Sequence, residues 1–168
     1  MIEANAPFDK LVFGCLADNM RLPFADATFE AYVSNLSLMI VQHPELQIRE
    51  AFRVLKPGSR ACFSIWGRPE NCLNFQIRRQ SFINLGREPL KGDDMRYWAL
   101  QSDHEALKQM FLKAGFSADV RMWYQASNWY FKDGADYWEG MKFRIPAEHH
   151  DEALRNETIR LFEEAKHE

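Results

Sequence analysis

Between Phe29 and Trp66 the apolar residues change their spacing twice, and that alternation constrains the fold more tightly than any single motif. Phe29 to Ser34 is rich in aromatic and β-branched types and reads as a strand. Ile48, Ala51, Phe52 and Leu55 then fall at i, i+3, i+4 and i+7, one face of a helix. Pro44 sits where a first-turn proline is tolerated. Lys56-Pro57-Gly58 stops the helix, and Arg60 to Trp66 follows with Ala61, Cys62, Phe63 and Ile65 in a nearly continuous apolar run. Such a run predicts a strand covered on both faces, as in a parallel sheet. Lys10 to Leu16 supplies an earlier strand, ending at Ala17-Asp18. Strands alternating with helices describe an open α/β sheet. Sheets of that kind bind ligands at the C-terminal ends of their strands. That directs attention to Asp18, to Ser34-Asn35 and to Gly67.

The rest of the chain is less regular. Asn35 to Val41 reads as a helical turn or a strand extension, and Leu73 to Leu85 as a helix. Arg87 to Asp94 is a loop, broken by Pro89 and Gly92. Ser102 and Glu105 make a capping-box signature before an apolar face of Leu107, Met110, Phe111 and Ala114, closed by Gly115. Phe116 to Phe131 reads as strand-rich, with two strands around Ala126-Ser127-Asn128. Asp133 to Lys142 is a short helix, and Glu148 onward a helix with Leu154, Leu161, Phe162 and Ala165 inward.

With 168 residues the chain has room for one domain. Its net charge of −3 gives no reason to expect nucleic-acid binding, which usually shows a basic face. No run approaches the roughly twenty apolar residues that a membrane helix needs, and no signal peptide is visible after Met1. Cys15, Cys62 and Cys72 lack metal spacing and are expected as buried small hydrophobes in a reducing compartment. The expectation is an intracellular protein, cytoplasmic or, as the alternative, in an organelle. Adjacent histidines on a helix point apart, so His149-His150 is expected as a solvated helix start and no metal site is assigned. His43 reads as a helix flank. Arg78-Arg79 reads first as a solvated face and second as a contact for an acidic substrate. Trp123, Tyr124, Trp129, Tyr130, Tyr137 and Trp138 read as core and edge packing, with the wall of an apolar substrate pocket or a subunit interface as the lesser alternative.

Three segments occur in order. Ala17-Asp18-Asn19-Met20-Arg21-Leu22-Pro23-Phe24-Ala25-Asp26-Ala27-Thr28-Phe29-Glu30 resembles a G-D-A-x-x-L-P-F-x-D-x-S-F-D pattern. Val33-Ser34-Asn35-Leu36-Ser37-Leu38 resembles the segment that follows the fourth strand of the same family. Arg49-Glu50-Ala51-Phe52-Arg53-Val54-Leu55-Lys56-Pro57-Gly58-Ser59 resembles its E-x-x-R-V-L-K-P-G-G segment, and Ala114-Gly115-Phe116 its A-G-F. The family is that of the class I S-adenosylmethionine-dependent methyltransferases, in its type-11, ubiquinone-biosynthesis-like group. Three motifs in register identify it far better than one.

The resemblance implies an α/β, Rossmann-like methyltransferase sheet, from its third strand onward, with flanking helices. It implies S-adenosylmethionine as cofactor and a small molecule as methyl acceptor. Asp18 would accept a hydrogen bond from the adenine amino group, and Asn19 would offer its backbone N–H to the ring. Ser34, Asn35 and Leu36 would line the region beside the sulfonium, and Leu22-Pro23-Phe24 would pack near adenine. Lys56-Pro57-Gly58 would be a structural turn, with Gly58 at positive φ. No catalytic residue is implied; Met39 and Ile40 stand where members often carry a His. No G-x-G occurs, and Met1-Ile2-Glu3-Ala4 resembles the helix after the family's second strand. The expected organisation is one partial domain over 1–168, with a motif-bearing α/β part over 10–66 and C-terminal helices and terminal strands over 67–168. The alternatives are a degenerate methyltransferase-like assembly subunit, with a protein partner or as a homo-oligomer, and a truncated product without activity of its own.

Overall fold

The computed structural model describes residues 14–90 and 95–166. These form two compact units. One joins the described residues up to Ser64 with Glu105–Val120; the other joins Ile65–His104, where described, with the described residues from Arg121 onward.

In the first unit, strand β1 (Phe29–Asn35), helix α1 (Pro44–Val54) and strand β2 (Leu55–Ser64) form a β-α-β unit whose strands pair in parallel. Parallel pairing needs a crossover, and α1 supplies it. Regular pairing runs from Ala31↔Arg60 to Asn35↔Ser64, and between Phe29↔Leu55 and Ala31↔Arg60 the register shifts. Lys56-Pro57-Gly58-Ser59 makes that excursion, with Gly58 at φ +80°, the left-handed region expected of it. The fold is thus α/β with a short parallel sheet, a partial Rossmann-like arrangement.

The expectation of a sheet covered on both faces fails among the described residues. Tyr32 and Ser34 face α1, and Phe63 meets Phe111 of helix α4 (His104–Ala114) with ring centroids 5.1 Å apart. Val33 and its partner Cys62 point the other way and are exposed. Gly14 to Leu16, the described part of the expected first strand, is irregular, and Leu16 is fully exposed. No strand lies beside it among the described residues, so its backbone has no ladder to join. Lys10 to Phe13 and Met1 to Ala4 lie outside the described residues.

Gly115 closes α4 at φ +110°, and a Cβ there would lie 2.7 Å from the Phe52 ring. The expected capping box before α4 does not form. Ser102 is the last residue of helix α3 (Met95–Ser102), and its hydroxyl donates to Ala99 O at 2.8 Å. The Glu105 carboxylate accepts from Gln109 instead.

The second unit packs helices α2 (Leu73–Asn84), α5 (Gly134–Met141) and α6 (Glu152–Ala165) together. Ile77, Tyr137, Met141 and Phe162 form one buried cluster, and Phe82, Trp138, Ile145 and Leu154 another. Asp133 and Asp151 cap α5 and α6, accepting from Asp136 N at 2.9 Å and Leu154 N at 2.8 Å. The two strands expected within Phe116–Phe131 do not form, and among the described residues no strand pairs with that segment. Of the aromatic tract, Tyr137 and Trp138 are buried as expected, whereas Trp123, Tyr124, Trp129 and Tyr130 are exposed. Cys72 is buried; Cys15 and Cys62 are exposed, against expectation, because their backbones lie on uncovered surface. His150 is more than a solvated helix start, since its Nε2 lies 2.8 Å from Ile145 O and 3.0 Å from Lys142 O. No helix among the described residues is long and apolar enough to cross a membrane.

Candidate functional site

Two features lie beside the sheet of the first unit: a clamped loop and a strained corner. The loop runs from Asp18 to Thr28. Asp18 opens it with a turn in which Oδ1 accepts from Met20 N at 2.9 Å and the carbonyl accepts from Arg21 N at 2.9 Å. Oδ2 and the Asn19 N–H meet no partner among the described residues. Leu22, Pro23 and Phe24 follow without secondary structure.

Helix α1 supplies what holds them. Arg53 donates to Leu22 O at 3.1 Å, to Phe24 O at 2.8 Å and to Asp26 Oδ1 at 2.7 Å. Glu50 accepts from Leu22 N at 2.8 Å and from two nitrogens of Arg53 at 2.8 and 2.9 Å. The loop then docks on the end of α1, where Ala27 N and Thr28 N donate to Arg53 O and Val54 O. Those carbonyls would otherwise be orphaned at a helix C-terminus. The Arg53 guanidinium beside Glu50 holds that carboxyl below the usual carboxylate range, and Glu50 in turn holds Arg53 protonated. Arg21, Leu22, Pro23, Phe24, Glu50 and Arg53 line an open cleft of about 580 Å³.

The corner follows β1. Leu36 adopts φ +51°, a strained conformation for a residue with a Cβ. Ser64, at the end of β2, pins it: Ser64 Oγ donates to Asn35 Oδ1 at 2.5 Å and accepts from Leu36 N at 3.0 Å. From the α1 side, Gln47 Nε2 donates to Ser34 Oγ and Ser37 Oγ, each at 3.0 Å. Ser34 and Ser37 bond each other at 2.7 Å. Gln47 is fully buried, and its Oε1 has no hydrogen-bond partner among the described residues.

Of the residues singled out in the sequence, Asp18 and Asn19 lie in the turn that opens the clamped loop, and Ser34, Asn35 and Leu36 form the corner. None of the five lines the cleft. Glu50 and Arg53 were legible as a motif but not as a clamp. The signal was the three-residue spacing of two opposite charges beside a loop bearing Asp26. Gln47 was missed; a polar residue one position before Ile48, on the face that also carries Ala51 and Val54, is the mark it left.

Compared with known proteins, residues 2–63 match the model of the type-11 methyltransferase-domain family. The ubiquinone/menaquinone biosynthesis C-methyltransferase UbiE of Roseobacter denitrificans is 45% identical over 123 residues, covering 68% of this chain and 49% of that protein. The UbiE of Pseudomonas fluorescens is 33% identical over 111 residues, covering 60% of this chain and 43% of that protein. The chain thus spans less than half the length of these curated relatives. No solved structure matches. The match over residues 2–63 and the likeness to these relatives support a class I S-adenosylmethionine-dependent methyltransferase of the ubiquinone-biosynthesis-like group.

Proposed function

We propose that the chain serves methyl transfer from S-adenosylmethionine to a small-molecule acceptor, and that the first unit holds the adenosine side of the cofactor. The observation that carries this reading is the Asp18 turn, held next to the loop that Arg53 and Glu50 clamp. A carboxylate oxygen and a backbone N–H on adjacent residues, unpaired among the described residues, match the donor and acceptor edge of an adenine ring. Leu22, Pro23 and Phe24 supply apolar surface for the ring itself. These residues fit the adenosine end; the described residues offer no comparable cradle for the methionyl carboxylate and amine.

In this reading Asp18 accepts from the adenine amino group and Asn19 donates to the ring. Ser34, Asn35 and Leu36 form a fixed wall where the reacting groups meet. The bound cofactor brings its own electrophile, a methyl group on a sulfonium, so alignment supplies much of the rate and no protein nucleophile is required. A wall pinned by Ser64 and Gln47 serves alignment because it does not have to be ordered when ligand arrives.

The test is calorimetric titration of the whole chain with S-adenosylmethionine and S-adenosylhomocysteine. Saturable heat that disappears in Asp18→Ala is the expected result. A chain that is folded by circular dichroism and gives no heat at high ligand concentration overturns the reading for the chain acting alone.

A second reading is an assembly role within a methyltransferase complex, or between copies of the chain. The exposed Val33–Cys62 face of the sheet favours it, because sheets of parallel strands are ordinarily covered on both sides. Cofactor binding that appears only in the presence of a partner polypeptide would select this reading over the first.

A further inference from the structure

The second unit holds an arginine in unusual company. Arg144, the last residue of a 3-10 turn after α5, places its guanidinium 5.3 Å from the ring centroid of Trp129. It lies 5.4 Å from that of Phe143, 5.7 Å from Trp66 and 5.8 Å from Phe75. No carboxylate pairs with it among the described residues. Its backbone carbonyl accepts from Arg78 Nη1 at 3.2 Å, and Arg78 lies over Phe75 at 5.1 Å, so a second cation borders one of these rings.

Ring faces attract a guanidinium but take none of its hydrogen bonds. Among the described residues Arg144 therefore keeps a planar fork of N–H donors without acceptors, the geometry that matches a carboxylate. Flat apolar walls flank that fork. Trp129 is about half exposed and Phe143 is 72% exposed, so both rings have surface open to a ligand. The neighbouring recess lined by Asn74, Arg78, Tyr137 and Arg144 measures about 10 Å³, room for a water and not for a ring. A ligand ring must lie on the outer aromatic surface, with its anionic group turned toward Arg144.

We propose that this surface is a binding site for a small planar aromatic anion, its carboxylate held by Arg144 and its ring laid against Trp129 and Phe143. The site lies wholly within the second unit and does not depend on cofactor binding by the first. It gives Arg144 and the exposed face of Trp129 a common task.

Calorimetric titration of the whole chain with 2-naphthoate and with its neutral isostere 2-naphthamide tests the proposal. The expected result is saturable binding of the acid, with the amide at least about tenfold weaker. Arg144→Gln should lower the affinity for the acid by about tenfold and leave that for the amide unchanged, whereas Trp129→Ala should weaken both. Equal affinities for acid and amide in the parent chain would overturn the proposal, as would no saturable heat up to about 10 mM. Undiminished binding of the acid by folded Arg144→Gln would do the same. If that variant does not fold, the comparison of acid with amide on the parent chain decides alone.

Discussion

Arg53, near the end of α1, donates to the carbonyl oxygen of Phe24 at 2.8 Å across 29 positions of sequence. With the bonds to Leu22 O and Asp26 it turns an irregular loop into a fixed one. The L-P-F-x-D and E-x-x-R segments are therefore two halves of one clamp. Arg53→Lys keeps the charge but not the fork. We expect amide hydrogen exchange over residues 20–28 to rise at least about tenfold in this variant while α1 stays protected. Unchanged exchange in the loop would show that the clamp does not hold it.

Gln47 makes a different kind of demand. Its amide joins Ser34 and Ser37 while its own carbonyl goes without a partner among the described residues. Gln47→Ala removes these bonds and leaves a cavity, at an expected cost of about 2–4 kcal/mol. Gln47→Met fills the space and deletes the orphaned oxygen, and should cost less than about 1.5 kcal/mol. Urea unfolding of both variants gives the comparison, and equal costs would contradict it.

Leu36 stores strain at φ +51°. Leu36→Gly should relieve part of it, recovering up to about 1 kcal/mol, against which stands the loss of a half-buried side chain. We expect a net stability change within about 1 kcal/mol, whereas a β-branched residue in Leu36→Val should destabilise clearly. Thermal unfolding of the two variants separates them.

Glu157 couples α6 to α2 through Asn84, whose Nδ2 donates to it at 2.6 Å. Arg160 beside it, with Asn84 helping, holds its carboxyl down at about 2, from an ordinary 4.5. A depressed carboxylate adds stability that is fully present above pH 4.5 and lost as pH falls toward 2. Glu157→Gln should accordingly be less stable than the parent at neutral pH, and the two should converge in acid. A constant difference between them from pH 7 to pH 2 would refute this coupling.

Gly134 lies against α6 so closely that a Cβ would sit 2.7 Å from Ile159 Cγ2 and 3.1 Å from Ile159 O. The backbone oxygen cannot turn aside as a side chain can. Gly134→Ala should cost about 1–3 kcal/mol by urea unfolding, although alanine is the better helix former.

The β-α-β unit was legible because its apolar spacing is local: Phe29–Ser34 alternates with the α1 face and then with the run around Phe63. The helices bounded by strong punctuation were legible too, Asp133 opening α5 and Gly115 closing α4. Ser102 misled because Asp103 stands beside it and α3 runs through Ser102, so the helix boundary lies after the supposed cap. Trp123 to Phe131 misled because strand-forming residue types express a preference that only a neighbouring strand can realise, and none lies there among the described residues. Asp18, Ser34 and Asn35 were picked out by their place at strand ends and again by resemblance, Asn19 and Leu36 by resemblance alone. What composition and spacing could not reveal was Gln47 and Ser64 pinning the corner, since side-chain bonds across 13 and 28 positions leave no periodic trace.

Cys62 stands on the bare face of the sheet, directly beside Val33 in the strand register. That gives the molecule a built-in reporter at the centre of the surface where a second layer would sit. Its rate of alkylation, followed by mass spectrometry peptide by peptide so that Cys15 is scored apart, measures how often that surface is open. A partner, a second copy or an added length of chain that seals the face would silence this one thiol while the buried Cys72 stayed silent throughout.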